Sequence, residues 1–253
     1  MRKLLLLGTA LALVSAPAFA ADLPMKAPPM VAPVAVYNWT GFYIGGHVGW
    51  GWTEVESIQL APGSAAFPTG TAFAKNNLDG FLGGVQGGFN WQVSPNFVLG
   101  VEGEYSWADI NGSARTVGVN GFVSNTTAHT KELGLFTGRL GYAANNWLFF
   151  VKGGGAWGRG SSDGDGFLAN GTFFQTTSSS TNRSGWVVGA GVEWGFAPNW
   201  STKIEYNHID FGSTDVTVFT SRGTTNVVSS SSTIDLVKAG VNYRFNWGAP
   251  GTY

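Results

Sequence analysis

Residues 185–195 read Gly-Trp-Val-Val-Gly-Ala-Gly-Val-Glu-Trp-Gly, so that every second residue from Trp186 to Trp194 is apolar and the residues between are Gly, one Val and one Glu. Successive side chains of an extended chain point to opposite faces. One face of this stretch carries Trp186, Val188, Ala190, Val192 and Trp194. This period of two predicts a β-strand with one apolar face. A Trp stands at each end of that face, as indole rings do at the two polar–apolar interfaces of a bilayer.

The eleven Trp of the chain all fall at or beside the ends of such alternating segments. One set of ends carries Trp39, Trp91, Trp147, Trp194, Trp200 and Trp247. The opposite set of ends carries Trp50, Trp52, Trp107, Trp157 and Trp186. Two planes of aromatic residues are typical of a β-barrel that spans a membrane. We therefore predict that these eleven side chains form two aromatic girdles.

The alternation predicts eight strands, each about the length needed to cross a bilayer at a tilt. They cover residues 41–52, 79–91, 97–110, 132–143, 147–158, 185–196, 200–211 and 234–245. Short turns (92–96, 144–146, 197–199) alternate with long polar connections (53–78, 111–131, 159–184, 212–233). Short periplasmic turns and long outer loops are the pattern of bacterial outer-membrane proteins. The fold class predicted is all-β, an eight-stranded antiparallel transmembrane β-barrel of the bacterial outer membrane.

Alternation alone leaves open which face is inside, because a soluble lipocalin-like barrel or sandwich alternates too. The second face of these segments is mostly Gly with a few spaced charges, which does not resemble a solvated surface. Small residues suit the interior of an eight-stranded barrel, which is just wide enough for side chains to fill. We therefore predict that the apolar face meets lipid, where barrel closure satisfies the backbone hydrogen bonds.

The beginning of the chain resembles an export signal. Arg2 and Lys3 precede an apolar stretch at residues 4–14, and Ala18-Phe19-Ala20 forms a small-x-small cleavage site. We predict a signal peptide at 1–20, a proline-rich periplasmic segment at 21–38 and the barrel at 39–253. The chain has no Cys, which excludes disulfides and thiolate metal sites. Its net charge of −1 gives no reason to expect a nucleic-acid partner.

Nine charged residues are predicted to face the interior: Glu102, Glu104, Arg139, Lys152, Glu193, Lys203, Glu205, Lys238 and Arg244. Charges in a narrow interior need partners, because an unpaired one is costly. The near balance of acids and bases predicts a network that fills the barrel. A selectivity filter around a pore is the alternative interpretation of the same residues.

Other motifs do not support catalysis or cofactor binding. Residues 153–158 match Gly-x-Gly-x-x-Gly, but a polar segment follows instead of the helix that phosphate binding needs. Asp163 and Asp165 lack the further ligands of an EF-hand, although loose calcium binding is an alternative. The histidines His47, His129 and His208 have no catalytic spacing. We predict no enzyme, no cofactor and no metal; a lipid-modifying barrel enzyme would draw on Ser106, Asp109 and His129.

Several motifs together resemble a known family. They are residues 39–46 (Trp-Thr-Gly-Phe-Tyr-Ile-Gly-Gly), 138–142 (Gly-Arg-Leu-Gly-Tyr), 203–206 (Lys-Ile-Glu-Tyr) and 241–245 (Val-Asn-Tyr-Arg-Phe). In order and spacing they are similar to the small outer-membrane β-barrel proteins of alphaproteobacteria, the immunogenic surface-antigen type. The resemblance implies that the last strand carries a terminal aromatic residue read by the assembly machinery. Here either Phe245 or Tyr253 supplies it, because eight residues follow Phe245.

The function predicted is that of a structural, surface-exposed component of the cell envelope with a largely plugged polar lumen. A narrow porin for small solutes and loop-mediated binding of a ligand or host are the alternatives. The partners implied are outer-membrane lipid, lipopolysaccharide and the outer-membrane assembly machinery, with host or phage contacts through the long loops.

Overall fold

The computed structural model describes residues 37–60, 63–64 and 66–245, which form one closed β-barrel. Its strands are β1 (Gly41–Gln59), β2 (Asn76–Gln92), β3 (Phe97–Val117), β4 (Val123–Ala144), β5 (Trp147–Phe167), β6 (Phe173–Ala197), β7 (Trp200–Thr220) and β8 (Thr225–Phe245). Each strand pairs antiparallel with the next, and β8 closes the ring on β1. No helix in these residues is long and apolar enough to cross a membrane. The predicted eight-stranded antiparallel β-barrel is confirmed.

The strands are longer than predicted, and most of each predicted outer loop is strand. They contain 17 residues in β2 and up to 25 in β6, so the barrel continues well beyond the thickness of a bilayer. Thr127, for example, pairs with Ser113 on β3 and with Asp163 on β5. The prediction of long loops was wrong because Ser- and Thr-rich segments form ladders when paired neighbours satisfy their backbone groups. Three of the outer connections reduce to tips of about five residues, at 118–122, 168–172 and 221–224.

The periplasmic turns agree with prediction. β2–β3, β4–β5 and β6–β7 are joined by residues 93–96, 145–146 and 198–199. Asn145 has a φ of 54°, a left-handed conformation that Asn tolerates better than most residues. β8 extends to Phe245, which pairs with Phe42 on β1. The alternative terminal aromatic, Tyr253, and the predicted girdle residue Trp247 lie outside the described residues.

Nine Trp side chains lie on the outer wall, each between 42% and 59% exposed: Trp50, Trp52, Trp91, Trp107, Trp147, Trp157, Trp186, Trp194 and Trp200. Trp147 and Trp194 stack across β5 and β6 with ring centroids 5.9 Å apart. On β5, the step from Trp147 to Trp157 spans about 25 Å along the barrel axis at the usual strand rise and tilt. That distance matches the apolar band of an outer-membrane barrel.

Trp39 does not belong to a girdle. Its side chain is fully buried and packs on Tyr37, with ring centroids 4.5 Å apart. The prediction was wrong because Trp39 precedes β1, so the alternation that places outward side chains does not extend to it. The segment before β1 instead folds into the periplasmic end of the barrel, where its backbone amide donates to Gln92 Oε1.

The tips and the strand extensions should differ in their tolerance of insertion. A ten-residue flexible insert after Asn170, in the tip where Gly171 has a φ of 83°, is expected to leave folding intact. The same insert after Thr126 should prevent formation of the outer barrel, because its neighbour Thr127 is paired on both sides. The heat-dependent gel shift of intact barrels measures both outcomes. Equal folding of the two variants would contradict the assigned strand extensions.

Candidate functional site: the barrel interior

The nine predicted lumen charges all point inward, and none is more than 4% exposed. They lie on β3 to β8 because inward positions recur every second residue. Lys152 on β5 contacts three carboxylates, with Nζ–Oε1 distances of 3.2 Å to Glu102, 2.5 Å to Glu104 and 2.9 Å to Glu205. Lys203 lies 2.9 Å from Glu102 and 3.1 Å from Glu205. We call these nine residues the charge lattice.

Arg139 links Glu102 to Glu193 within the charge lattice. Its guanidinium lies 3.6 Å from Glu102 and donates to Glu193 Oε2 at 2.9 Å. Glu193 also accepts from Ser201 Oγ at 2.6 Å and pairs with Arg244 at 3.6 Å. Each acid therefore meets at least two cations or polar donors. Such multiple pairing offsets the desolvation that a single buried pair would suffer.

The charge lattice contains a carboxylate cluster of metal-binding dimensions. One oxygen from each of Glu102, Glu104 and Glu205 lies within 4.8 Å of the others. The ammonium groups of Lys152, Lys203 and Lys238 contact these same carboxylates. Three lysines thus supply the positive charge that a bound cation would otherwise provide. The donor set fits internal neutralisation and not a resident metal.

An apolar layer lies on the outer side of the charge lattice, and the sequence reasoning missed it. It is formed by Leu78, Leu82, Ile110, Leu133, Leu135, Ala156, Val187, Ile209, Phe211, Ile234 and Leu236, all less than 7% exposed. On β1, Gly51 leaves room for this layer, because a Cβ there would lie 2.7 Å from Leu236 and 2.8 Å from Ile110, and Val55 packs against the layer. The missed signal is that inward positions near the outer ends of seven of the predicted strands hold aliphatic or aromatic residues. The lumen is therefore only partly polar.

The periplasmic end is closed by a second apolar group, which we call the periplasmic cap: Tyr37, Trp39, Val98, Ala143 and Leu148. The Arg244 guanidinium stacks on it, 4.8 Å from the ring centroid of Trp39, and donates to the backbone carbonyl of Asn38 at 3.1 Å. Cation–π contact and hydrogen bonding together hold this segment across the barrel mouth. The charge lattice thus lies between two apolar layers.

Beyond the apolar layer, the strand extensions enclose a cavity of about 220 Å³. We call it the outer cavity. The apolar layer forms its floor, hydroxyl side chains such as Ser57, Thr126 and Thr177 line its walls, and Phe67, Phe73 and Phe122 contribute aromatic surface. Phe67 packs against Phe73 and Phe122 with ring centroids 5.1 and 5.6 Å away.

The residues considered for catalysis do not converge. Asp109 is exposed on the outer wall, whereas Ser106 faces the interior and is buried. The partner of Ser106 is His47, whose Nε2 lies 2.8 Å from Ser106 Oγ and whose Nδ1 contacts Gln86 and not a carboxylate. His129 instead lines the outer cavity. This Ser–His pair, which sequence spacing did not indicate, is enclosed and lacks the acid of a triad.

The remaining motifs also stay apart. His208 lies on the wall with its Nδ1 2.7 Å from Asp235 Oδ1, so it does not meet His47. Asp163 and Asp165 are exposed positions of β5 and not of a loop. Residues 153–158 are also part of β5, and no helix follows them.

A closed barrel with nine Trp on its outer wall and a charged interior was compared with known protein families. The family model described as the outer membrane protein beta-barrel domain matches residues 6–245. The chain belongs to this family. It is 30% identical to the 31 kDa outer-membrane immunogenic protein of Brucella melitensis, over 96% of this chain and 100% of that protein. It is also 30% identical to the 25 kDa outer-membrane immunogenic protein of Brucella abortus, over 97% and 99% of the two chains.

Solved structures agree on the fold. The outer-membrane protease OmpT of Escherichia coli superposes with a TM-score of 0.50 and 11% identity, over 83% of this chain and 98% of that one. At this identity the likeness shows the fold alone. Family membership and the Brucella relatives place the protein in the outer membrane, where the exposed apolar wall meets lipid and lipopolysaccharide. The predicted resemblance and localisation are confirmed.

Proposed function

We propose that this protein is a sealed structural barrel of the outer membrane, whose strand extensions form a surface outside the cell. The observation that carries the proposal is the stacking of three closed layers across the lumen: periplasmic cap, charge lattice and apolar layer. In the charge lattice Lys152, Lys203 and Glu102 have completely buried side chains. Water or ions crossing the barrel would have to separate these pairs.

The proposal includes no enzymatic activity and no cofactor. Ser106 and His47 are both buried in the lumen, so a substrate reaching them would have to displace packed side chains. The proposed contacts with host surfaces or phages use the exposed outer tips. The proposed contact with the assembly machinery uses the end of β8 at Phe245, which is followed by residues outside the described range. We further propose residues 1–20 as a cleaved export signal and 21–38 as a periplasmic segment.

Planar-bilayer recording of the refolded chain from residue 21 tests this function. Protein that shows the heat-dependent gel shift of an intact barrel is expected to give no steady single-channel steps. A matched variant, Leu236→Gly with Leu133→Gly, thins the apolar layer and should produce more frequent openings if that layer is the seal. Exposed Leu99→Gly with Leu140→Gly is the control and should stay silent.

Steady conductance of the unaltered barrel would contradict the proposal. Reproducible steps from the unaltered protein would show an open path. If those steps also changed with Lys152→Gln or Arg244→Gln, the charge lattice would line that path. The protein would then be a narrow porin.

A further inference from the structure

The outer cavity contains one inward-facing cation, Arg183, and its lining has no acidic side chain among the described residues. Arg159 also borders the cavity, but its side chain is exposed on the outer wall and lies 3.6 Å from Glu132. Arg183 has no carboxylate within ion-pair distance in this part of the chain, and its only bonded partner is Ser230 on β8.

The Arg183 guanidinium is held in place but not neutralised. Nη1 donates to the Ser230 carbonyl at 3.2 Å, and Nη2 donates to Ser230 Oγ at 2.8 Å. These two bonds leave further N–H groups of the five that a guanidinium carries. Burial lowers the pKa of Arg183, and no neighbouring acid raises it back. A partly desolvated cation with free donors is suited to receive an anion.

The barrel wall is interrupted beside this arginine. Ser178 pairs with Phe219 and Trp186 with Asp210, but residues 179–185 of β6 have no partner on β7. The same residues stay paired with β5, and residues 213–218 of the facing β7 segment stay paired with β8, with an irregularity at 211–212. This is the longest interruption between paired residues in the described barrel. It begins one residue beyond Trp186, at the lipid–water boundary of the outer leaflet.

We propose that the outer cavity binds a medium-chain fatty acid, with its carboxylate on Arg183 and its chain against the apolar and aromatic lining. The seam between β6 and β7 gives such a molecule a route from the outer leaflet. A cavity of about 150 Å³ holds benzene, so this one holds an apolar body of roughly eight to ten carbons. The site lies outside the sealed layers and does not depend on whether the lumen conducts.

Equilibrium dialysis of labelled decanoate against the refolded protein in lipid nanodiscs tests the site, with empty nanodiscs as the background. Saturable binding of one decanoate per barrel is expected. Arg183→Gln should weaken it by about ten- to hundredfold, as for the loss of a hydrogen-bonded charge. Arg115→Gln, the same change on the exposed face of β3, should leave it unaltered. Ala114→Phe, which fills the cavity, should abolish saturable binding.

Competition establishes the charge preference. Decyltrimethylammonium, which has the same chain and the opposite charge, should not displace decanoate. The proposal is overturned if uptake equals that of empty nanodiscs, if Arg183→Gln binds as tightly as the unaltered protein, or if the cationic amphiphile competes equally. The gel shift verifies folding of each variant. The Gln side chain of Arg183→Gln can still donate a hydrogen bond to Ser230. This variant therefore tests the site even if Ala114→Phe fails to fold.

Discussion

Replacing Glu102 with Gln is expected to lower the free energy of unfolding by about 3–5 kcal/mol, the usual cost of removing one partner from a buried ion pair. Glu102 accepts from Tyr43 at 2.9 Å and meets Lys152, Lys203 and Arg139 within 3.6 Å. The amide is of similar size, so the loss comes from three cations that share one carboxylate fewer. Urea unfolding in lipid vesicles, followed by Trp fluorescence, measures the change.

An exposed acid provides the control for this variant. Glu56 pairs with Lys75 with its side chain 54% exposed, so Glu56→Gln should change stability by about 1 kcal/mol or less. Adding Lys203→Met to Glu102→Gln should recover part of the loss, because it removes one unmatched cation. If Glu102→Gln costs no more than Glu56→Gln, then the interior charges are hydrated and the lumen is open to water.

Replacing Val151 with Arg is expected to cost about 2–4 kcal/mol, because the side chain faces lipid near the middle of the bilayer. Val151 is 55% exposed on the outer wall and lies about halfway between Trp147 and Trp157 on β5. Val188→Arg, only two residues from Trp186, should cost less, since the penalty falls towards the interface. Reversible urea unfolding in vesicles gives the depth dependence.

The matched control lies outside the bilayer. Val117 is 61% exposed at the outer end of β3, so Val117→Arg should stay within about 0.5 kcal/mol of the unaltered protein. Equal costs at Val151, Val188 and Val117 would mean that the outer wall does not follow bilayer depth. The two faces of the barrel would then be wrongly assigned.

The membrane-spanning half of this fold follows from the sequence because a period of two fixes each side chain to one face. Val188 outward and Glu193 inward are consequences of position alone within β6. For the same reason, alternation correctly predicts an outward side chain wherever a Trp lies inside a strand. Alternation does not predict the position of Trp39, because this residue precedes β1. Its side chain instead packs against Arg244, near the end of β8.

The order of the interior layers along the barrel axis could not be predicted from alternation. Alternation predicts that the side chains of Leu236 and Ile110 point inward. Only the register between distant strands shows that both side chains pack against Gly51. The length of the barrel was missed because Ser and Thr are common both in loops and in paired strands. The alternation places Arg183 in the long polar connection at 159–184, not in a strand. Its approach to Ser230 depends on the interrupted β6–β7 seam, for which the local sequence gives no signal.

Cysteine accessibility tests most directly whether the barrel is sealed, because the chain has no Cys of its own. Thr126→Cys lies in the outer cavity, whereas Thr137→Cys lies at the level of Glu102 and is fully buried. The barrel in vesicles would be treated with a charged methanethiosulfonate reagent applied to both sides. The account predicts rapid labelling at 126 and none at 137 until urea unfolds the protein. Labelling of Thr137→Cys in the folded barrel at a rate close to that of Thr126→Cys would contradict it.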